Sequence, residues 1–166
     1  MNFGASVGVQ FPTGSGSEGM KTGFGFNVVG KYFLKENIAV GLNSGYLRFG
    51  IKEFSLFGAD FSGSTSFIPI TGLFEYHFGT GKIKPYLGAD LGAYIVITKA
   101  EGTYQGEHQS DSNSEAHFGF APVAGLSAEI NDNTSFWANL KYNDVTASGG
   151  SATWFGINAG LIFKIK

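Results

Sequence analysis

The chain has no cysteine. That excludes a disulfide framework and any cysteine-ligated metal site. Charge is scarce as well: Asp, Glu, Lys and Arg make up 14% of 166 residues, against roughly 25% in ordinary soluble domains. The net charge is −2 and no basic cluster occurs, so the electrostatic footprint of a nucleic-acid-binding protein is missing. Long apolar runs are missing too. A helix needs about 20 apolar residues to span a bilayer, and the best runs here, Leu91 to Ile97 and Phe118 to Leu126, are far shorter. A signal peptide is also absent, because Met1 runs straight into Asn2, Phe3 and an alternating segment. Either the protein is cytoplasmic or this is a mature or recombinant form, and the alternation described below favours the second.

What is abundant is glycine, with 26 residues, and phenylalanine, with 17. The glycines follow no three-residue period, which excludes collagen. So much Phe, Ile, Val and Leu with so little charge excludes a disordered chain. The length suits a single domain over residues 1–166.

Alternation at period two is the signature of a strand, and eight segments show it. They run through about Asn2 to Phe11, Gly23 to Tyr32, Ile38 to Tyr46, Ile68 to His77, Leu87 to Ile95, Gly119 to Ile130, Phe136 to Asn143 and Phe155 to Ile165. One face of each is apolar, as in Phe3, Ala5, Val7, Val9 and Phe11. The apolar faces carry no charge. The opposite faces carry Lys31, Glu75, Asp90, Glu129, Lys141 and Lys164, three acids and three bases, together with His77. Glycine segregates in the same way, with twelve on the charged faces and only Gly30 and Gly72 on the apolar ones.

This asymmetry separates two kinds of barrel. A soluble barrel turns its charges to water and would crowd the large Phe, Ile and Leu set into a narrow lumen. A membrane barrel turns apolar residues to lipid and polar ones inward. A Lys or Arg on the lipid face costs about 2–4 kcal/mol at the midplane, and the sequence places none there. Eight strands leave an interior just wide enough for side chains, which explains inward glycines beside inward Tyr94 and Trp137. The expected fold is all-β: an eight-stranded antiparallel up-and-down transmembrane β-barrel. Proline removes a ladder hydrogen bond, so bulges or register errors are expected at Pro69 and Pro122.

Three connections are short: Lys35-Glu36-Asn37, Phe78 to Lys84, and Asn131-Asp132-Asn133. Four are longer, at about 12–22, 49–66, 98–117 and 144–153. Outer-membrane barrels have short periplasmic turns and longer extracellular loops, which puts both termini in the periplasm. Aromatic residues collect near strand ends, as interface girdles do. Tyr32, Tyr76, Phe78, Tyr86, Phe136 and Phe163 form the expected ring at the short turns; Phe11, Phe24, Tyr46, Tyr142 and Phe155 form the other.

Three stretches then carry a family resemblance: Tyr32 followed by a tight turn and Asn37-Ile38-Ala39-Val40-Gly41, Pro85-Tyr86-Leu87-Gly88-Ala89 opening the fifth strand, and Trp137 to Tyr142 in the seventh. With them the whole chain resembles the small outer-membrane β-barrels of Gram-negative bacteria, of the OmpA transmembrane-domain and OmpX kind. The resemblance implies a bacterial outer-membrane location, contact with lipopolysaccharide and phospholipid, and a structural or adhesin-like surface role. Such barrels commonly end in an aromatic residue, whereas this chain ends Phe163-Lys164-Ile165-Lys166.

For chemistry the residues offer little. Glu75 and His77 share an inward face, and pairing across the turn sets them beside Tyr86 and Gly88. A His–carboxylate pair can activate a nucleophile, and Ser127 is the nearest inward hydroxyl. The alternative is a buried polar network in which Lys31, Lys141 and Lys164 balance the acids, since charges inside a barrel must be paired. The expectation is that network: no catalytic residues, no metal, no cofactor. His108 and His117 lie in the stretch Lys99 to His117 with Glu101, Glu107, Asp111 and Glu115, at no known metal-ligand spacing, and Gln105 to Ser114 reads as a mobile polar loop. The stretch from Phe49 to Phe67 holds Ile51, Phe54, Leu56, Phe57 and Phe61. Exposed apolar loops are interaction sites or fold over the barrel mouth, and Phe54, Leu56, Phe57 and Phe61 are the candidate contacts for an extracellular partner. The function expected is that of a monomeric, non-catalytic surface protein with no nucleic-acid partner; the alternatives are a lipid-modifying enzyme and a narrow pore.

Overall fold

The computed structural model describes residues 1–166 except Glu53, Phe57, Gly58, Gln105, Gly106 and Lys166; for Gly16, 54–56, 59–61, 102–104 and 107–110 only the backbone is described. The strands are β1 Asn2–Thr13, β2 Gly23–Lys35, β3 Ile38–Gly50, β4 Phe54–Leu56, β5 Ala59–His77, β6 Ile83–Tyr104, β7 Glu107–Asn131, β8 Thr134–Ala147 and β9 Gly150–Lys164. A single 3₁₀ turn, Ser15–Ser17, lies between β1 and β2.

Eight strands close into an antiparallel barrel. Each pairs with its sequence neighbour, β1 closes on β9, and β3 pairs directly with β5. The ninth strand, β4, pairs with β5 outside the ring. Closure matters in lipid, because a bilayer core offers no water to satisfy a free sheet edge. The alternation sorts the faces as the sequence implies. Val7 is 70% exposed while its neighbour Ser6 is 4% exposed, and Leu42 is 70% exposed beside Asn43 at 3%. Exposure is thus inside-out relative to a soluble protein, which is stable only when hydrocarbon covers the outer wall.

Inward glycines make room for particular neighbours. A methyl group on Gly125 would sit 2.5 Å from Tyr86 Cζ, and one on Gly119 would sit 2.5 Å from Tyr94 Cε2. Each pairing places a large ring against a residue with no side chain, as a narrow bore requires. The turns use glycine differently. Gly79 (φ 80°) and Gly149 (φ 89°) hold left-handed angles that side chains rarely adopt.

The structure changes three expectations. Three of the four long connections are continued strand rather than loop: β6 and β7 extend to Tyr104 and from Glu107, β8 and β9 meet across two residues, and β3 and β5 consume most of 49–66. In particular, Glu107 to Ser114 pairs in register with 97–104. The β6–β7 segment is polar on both faces because both faces are wet, so no alternation marks it as strand. Second, the prolines interrupt ladders without bulging. The β3–β5 ladder breaks between Ser44↔Ile70 and Leu47↔Phe67 and resumes in the same register, as does β7–β8 around Pro122. The bulges lie instead at Phe33/Lys35 and Glu129/Asn131, beside the short turns. Third, Tyr86 is 1% exposed and points into the bore, so it leaves the aromatic ring, whereas Tyr32, Tyr76, Phe78, Phe136 and Phe163 stay exposed. The β1–β2 connection also packs over the mouth at the long-strand end, whereas the expectation for Phe54, Leu56, Phe57 and Phe61 lies outside the described side chains. Ser17 Oγ donates to the Thr153 carbonyl (2.8 Å), and Met20 packs on the apolar cluster below.

Candidate functional site

The bore fills in layers, each set by which strands bring inward residues to the same height. At the short-turn end a cavity of about 1020 Å³ opens, lined among others by Lys31, His77, Tyr86, Ser127, Glu129 and Trp137. At its rim Glu129 on β7 lies between Lys164 on β9 (3.5 Å) and Lys84 on β6 (3.8 Å). These groups are about 29–40% exposed, so water screens the pairs and each stabilises little.

The cavity floor is a compact ion cluster. Lys31 on β2 reaches across to Glu75 on β5 and donates to both carboxylate oxygens, at 2.7 and 2.9 Å. His77 Nε2, two residues along the same inward face, lies 3.0 Å from Glu75 Oε2. All three are buried. Rings enclose them: His77 stacks on Tyr86 at 4.9 Å with Phe33 tilted nearby at 5.3 Å, and Lys31 Nζ sits 4.8 Å above the Trp137 ring. Burial makes the pairing obligatory, since either charge alone in this box would lose its hydration without compensation.

Deeper in the bore come neutral amides and a second ion pair. Lys141 on β8 bonds Asp90 on β6 (2.5 Å), and Asn43 donates to the same Asp90 oxygen (3.2 Å). Asn158 accepts from Gln10 (3.1 Å) and donates to Asn139 (2.9 Å), which donates to the Tyr86 hydroxyl (3.2 Å). Among these groups the void is about 10 Å³, roughly room for one water. Above them Leu47, Phe49, Phe67, Tyr94, Val145 and Trp154 form an apolar plug. Trp154 is its centre, with ring contacts to Phe67 (4.5 Å), Phe49 (5.4 Å) and Tyr94 (6.1 Å).

Each of the seven inward residues named from the sequence lies on the bore side. The structure joins them as Lys31–Glu75–His77, Asp90–Lys141 and Glu129–Lys164. Ser127 lines the same cavity as His77, but no hydrogen bond joins the two among the described residues. In the extension beyond the barrel His117 Nε2 lies 3.2 Å from Glu115. The side chain of His108 lies outside the described residues, as do those of Phe54, Leu56 and Phe61; Phe57 is outside them altogether. The aromatic plug was missed in the sequence. Its signal is parity: Phe49 continues the inward set Ala39 to Asn43 and Leu47 on β3, and Trp154 precedes the inward Gly156 and Asn158 on β9.

These features define a small transmembrane β-barrel whose bore is blocked by ion pairs, amides and an aromatic plug. The chain belongs to the outer membrane protein beta-barrel domain family, whose model matches residues 1–163. The family places it in the outer membrane of Gram-negative bacteria. No curated protein matches it by sequence. Among solved structures it is similar to Neisserial surface protein A (TM-score 0.63, 20% identity, 99% of this chain and 96% of that one). It is also similar to Ail, the attachment invasion locus protein of Yersinia pestis (TM-score 0.58, 19% identity, 98% of each chain). A third is OprG from Pseudomonas aeruginosa (TM-score 0.61, 15% identity, 99% of this chain and 95% of that one). At these identities the likeness is one of fold.

Proposed function

We propose that this barrel is a non-catalytic, monomeric surface-interaction protein that presents the β5–β7 extension outside the cell to an extracellular partner, with both termini in the periplasm. One observation carries the reading: three strands are far longer than a membrane needs. β5, β6 and β7 have 19, 22 and 25 residues, against about 9–11 for a tilted membrane strand. The other five staves have 12–15. The extra length forms a sheet in the order β4-β5-β6-β7. Its β7 margin faces solvent, since pairing with β8 begins at Gly119↔Val145. A free strand edge is a template for an added strand from a partner. The residues on it, including Asp111, Ser112, Asn113 and Glu115, are polar and discourage self-association while leaving the backbone groups available.

Ail, the attachment invasion locus protein of Yersinia pestis, carries a name of the same kind. The His77–Glu75 pair supports a brace rather than a catalyst, because His77 Nε2 is spent on a carboxylate that is itself held by Lys31. The test is a deletion of residues 101–113, which shortens the arm and spares the barrel. Heat modifiability on a gel stays intact and binding to host-cell surfaces is lost; unchanged binding would overturn the proposal. A cysteine at Ser112, labelled by an impermeant maleimide on intact cells, tests the orientation, and protection until the cells are lysed would reverse it.

A further inference from the structure

The outer wall of the barrel is ridged with Phe, Leu and Ile, and a shallow depression lies among them. A trough of about 640 Å³ runs over β1, β2, β3 and β9. Small outward residues floor it, Val7 and Val9 on β1 and Ala159 on β9, while Phe11, Phe24 and Phe26 wall it. Both walls and floor are outward positions, so the trough faces hydrocarbon.

A cation stands at one end. Arg48 lines the trough and is exposed, and its register partners are Phe24 on β2 and Ser66 on β5. It stands ten residues along β3 from Ile38, a climb of roughly 25 Å for a strand tilted about 40°. That is about the height of the apolar band of such a barrel. Arg48 therefore lies where hydrocarbon gives way to headgroups, at the end from which the long strands protrude. Its guanidinium makes no hydrogen bond or ion pair among the described residues. Beside it the Tyr46 hydroxyl bonds Ser66 Oγ at 2.8 Å.

We propose that this trough is a binding site for an anionic membrane lipid whose headgroup ends in a phosphate monoester, one acyl chain lying between the Phe24/Phe26 wall and the Val7–Val9–Ala159 floor and the phosphate seated on Arg48. The two halves match the two ends of such a lipid. An apolar hollow in a lipid-facing wall takes a chain, and a planar guanidinium gives a phosphate two parallel hydrogen bonds. A basic side chain at this depth adds attraction for anionic headgroups. No other charged residue lines the trough, so the selectivity rests on Arg48.

The test uses the full chain in phosphatidylcholine bilayers with spin-labelled phosphatidic acid or spin-labelled phosphatidylcholine, reading the motionally restricted lipid fraction. The wild type prefers phosphatidic acid about threefold to fivefold. Arg48→Gln brings the preference close to one, whereas Lys35→Gln at the opposite end leaves it intact. Val9→Trp, which fills the floor without touching the cation, lowers it as well. Heat modifiability shows that each variant is folded. Equal retention of the two lipids by the wild type, or an undiminished preference in Arg48→Gln or Val9→Trp, would overturn the proposal. Glycerol phosphate added against sodium chloride of equal ionic strength leaves the preference standing; displacement by it would reveal a headgroup site without a chain and would also overturn it.

Discussion

The two ends of the bore are filled by opposite chemistry. Toward the short turns the barrel is held by Lys31, Glu75 and His77 in a box of rings; toward the long strands it is held by Phe49, Phe67, Tyr94 and Trp154. The first filling is directional: one lysine bonds both oxygens of one carboxylate, and His77 Nε2 lies 3.0 Å from one of them. The second is a matter of volume, and rings pack edge to face without a unique partner. Each buried ion pair bridges two staves with one strand between them, Lys31 on β2 to Glu75 on β5 over β3 and Lys141 on β8 to Asp90 on β6 over β7, and the aromatic cluster closes the end where the chain must also turn outward into an arm. Each end therefore fails differently when altered.

The largest effect belongs to the ionic end. Glu75→Ala leaves Lys31, whose side chain is 2% exposed, as an uncompensated buried charge, and costs about 3–5 kcal/mol. Urea titration of the refolded protein in vesicles reads this as a lowered midpoint. Replacing both partners, Lys31→Met with Glu75→Leu, should recover most of that loss, because an apolar pair of similar volume is often neutral. A double variant as weak as Glu75→Ala would show that the cluster stabilises through more than its charges.

The aromatic end breaks by overpacking. Gly119→Ala drives a methyl group into the Tyr94 ring and costs about 1–3 kcal/mol. Restoring space with Tyr94→Leu in the same chain recovers part of this in the same titration. Were Gly119→Ala neutral, the crowding at this end would not be the constraint described.

The smallest effect lies at the rim. Lys164→Ala removes a pair that is 40% and 38% exposed, and costs about 0.2–1 kcal/mol. Added salt erases the difference, whereas it leaves Glu75→Ala unchanged, because buried pairs are screened far less.

The comparison also explains what the amino-acid order reveals. The facing of Val7 and Ser6, or of Leu42 and Asn43, is written plainly in the alternation, because lipid on one side and a crowded polar bore on the other impose a strict period of two. The charged residues of the bore could be named from it. Their partners could not be fixed, since Lys31 and Glu75 are 44 residues apart and sit on β2 and β5 with β3 between them, so the contact spans an intervening stave rather than a ladder pair. The aromatic plug was hidden by the expectation that an inward position is polar, and Tyr86 was drawn into the girdle by its place near a strand end. The β6–β7 extension was hidden for a different reason. Water bathes both its faces, so its sequence carries no period at all.

On the proposed function both fillings seal the barrel, and the protein acts by what it presents at the surface and not by what passes through it. Single-channel recording of the refolded full chain in a planar bilayer tests this most directly. Silence at all applied potentials is the expected result, and a steady, reproducible open conductance from the wild-type protein would contradict it.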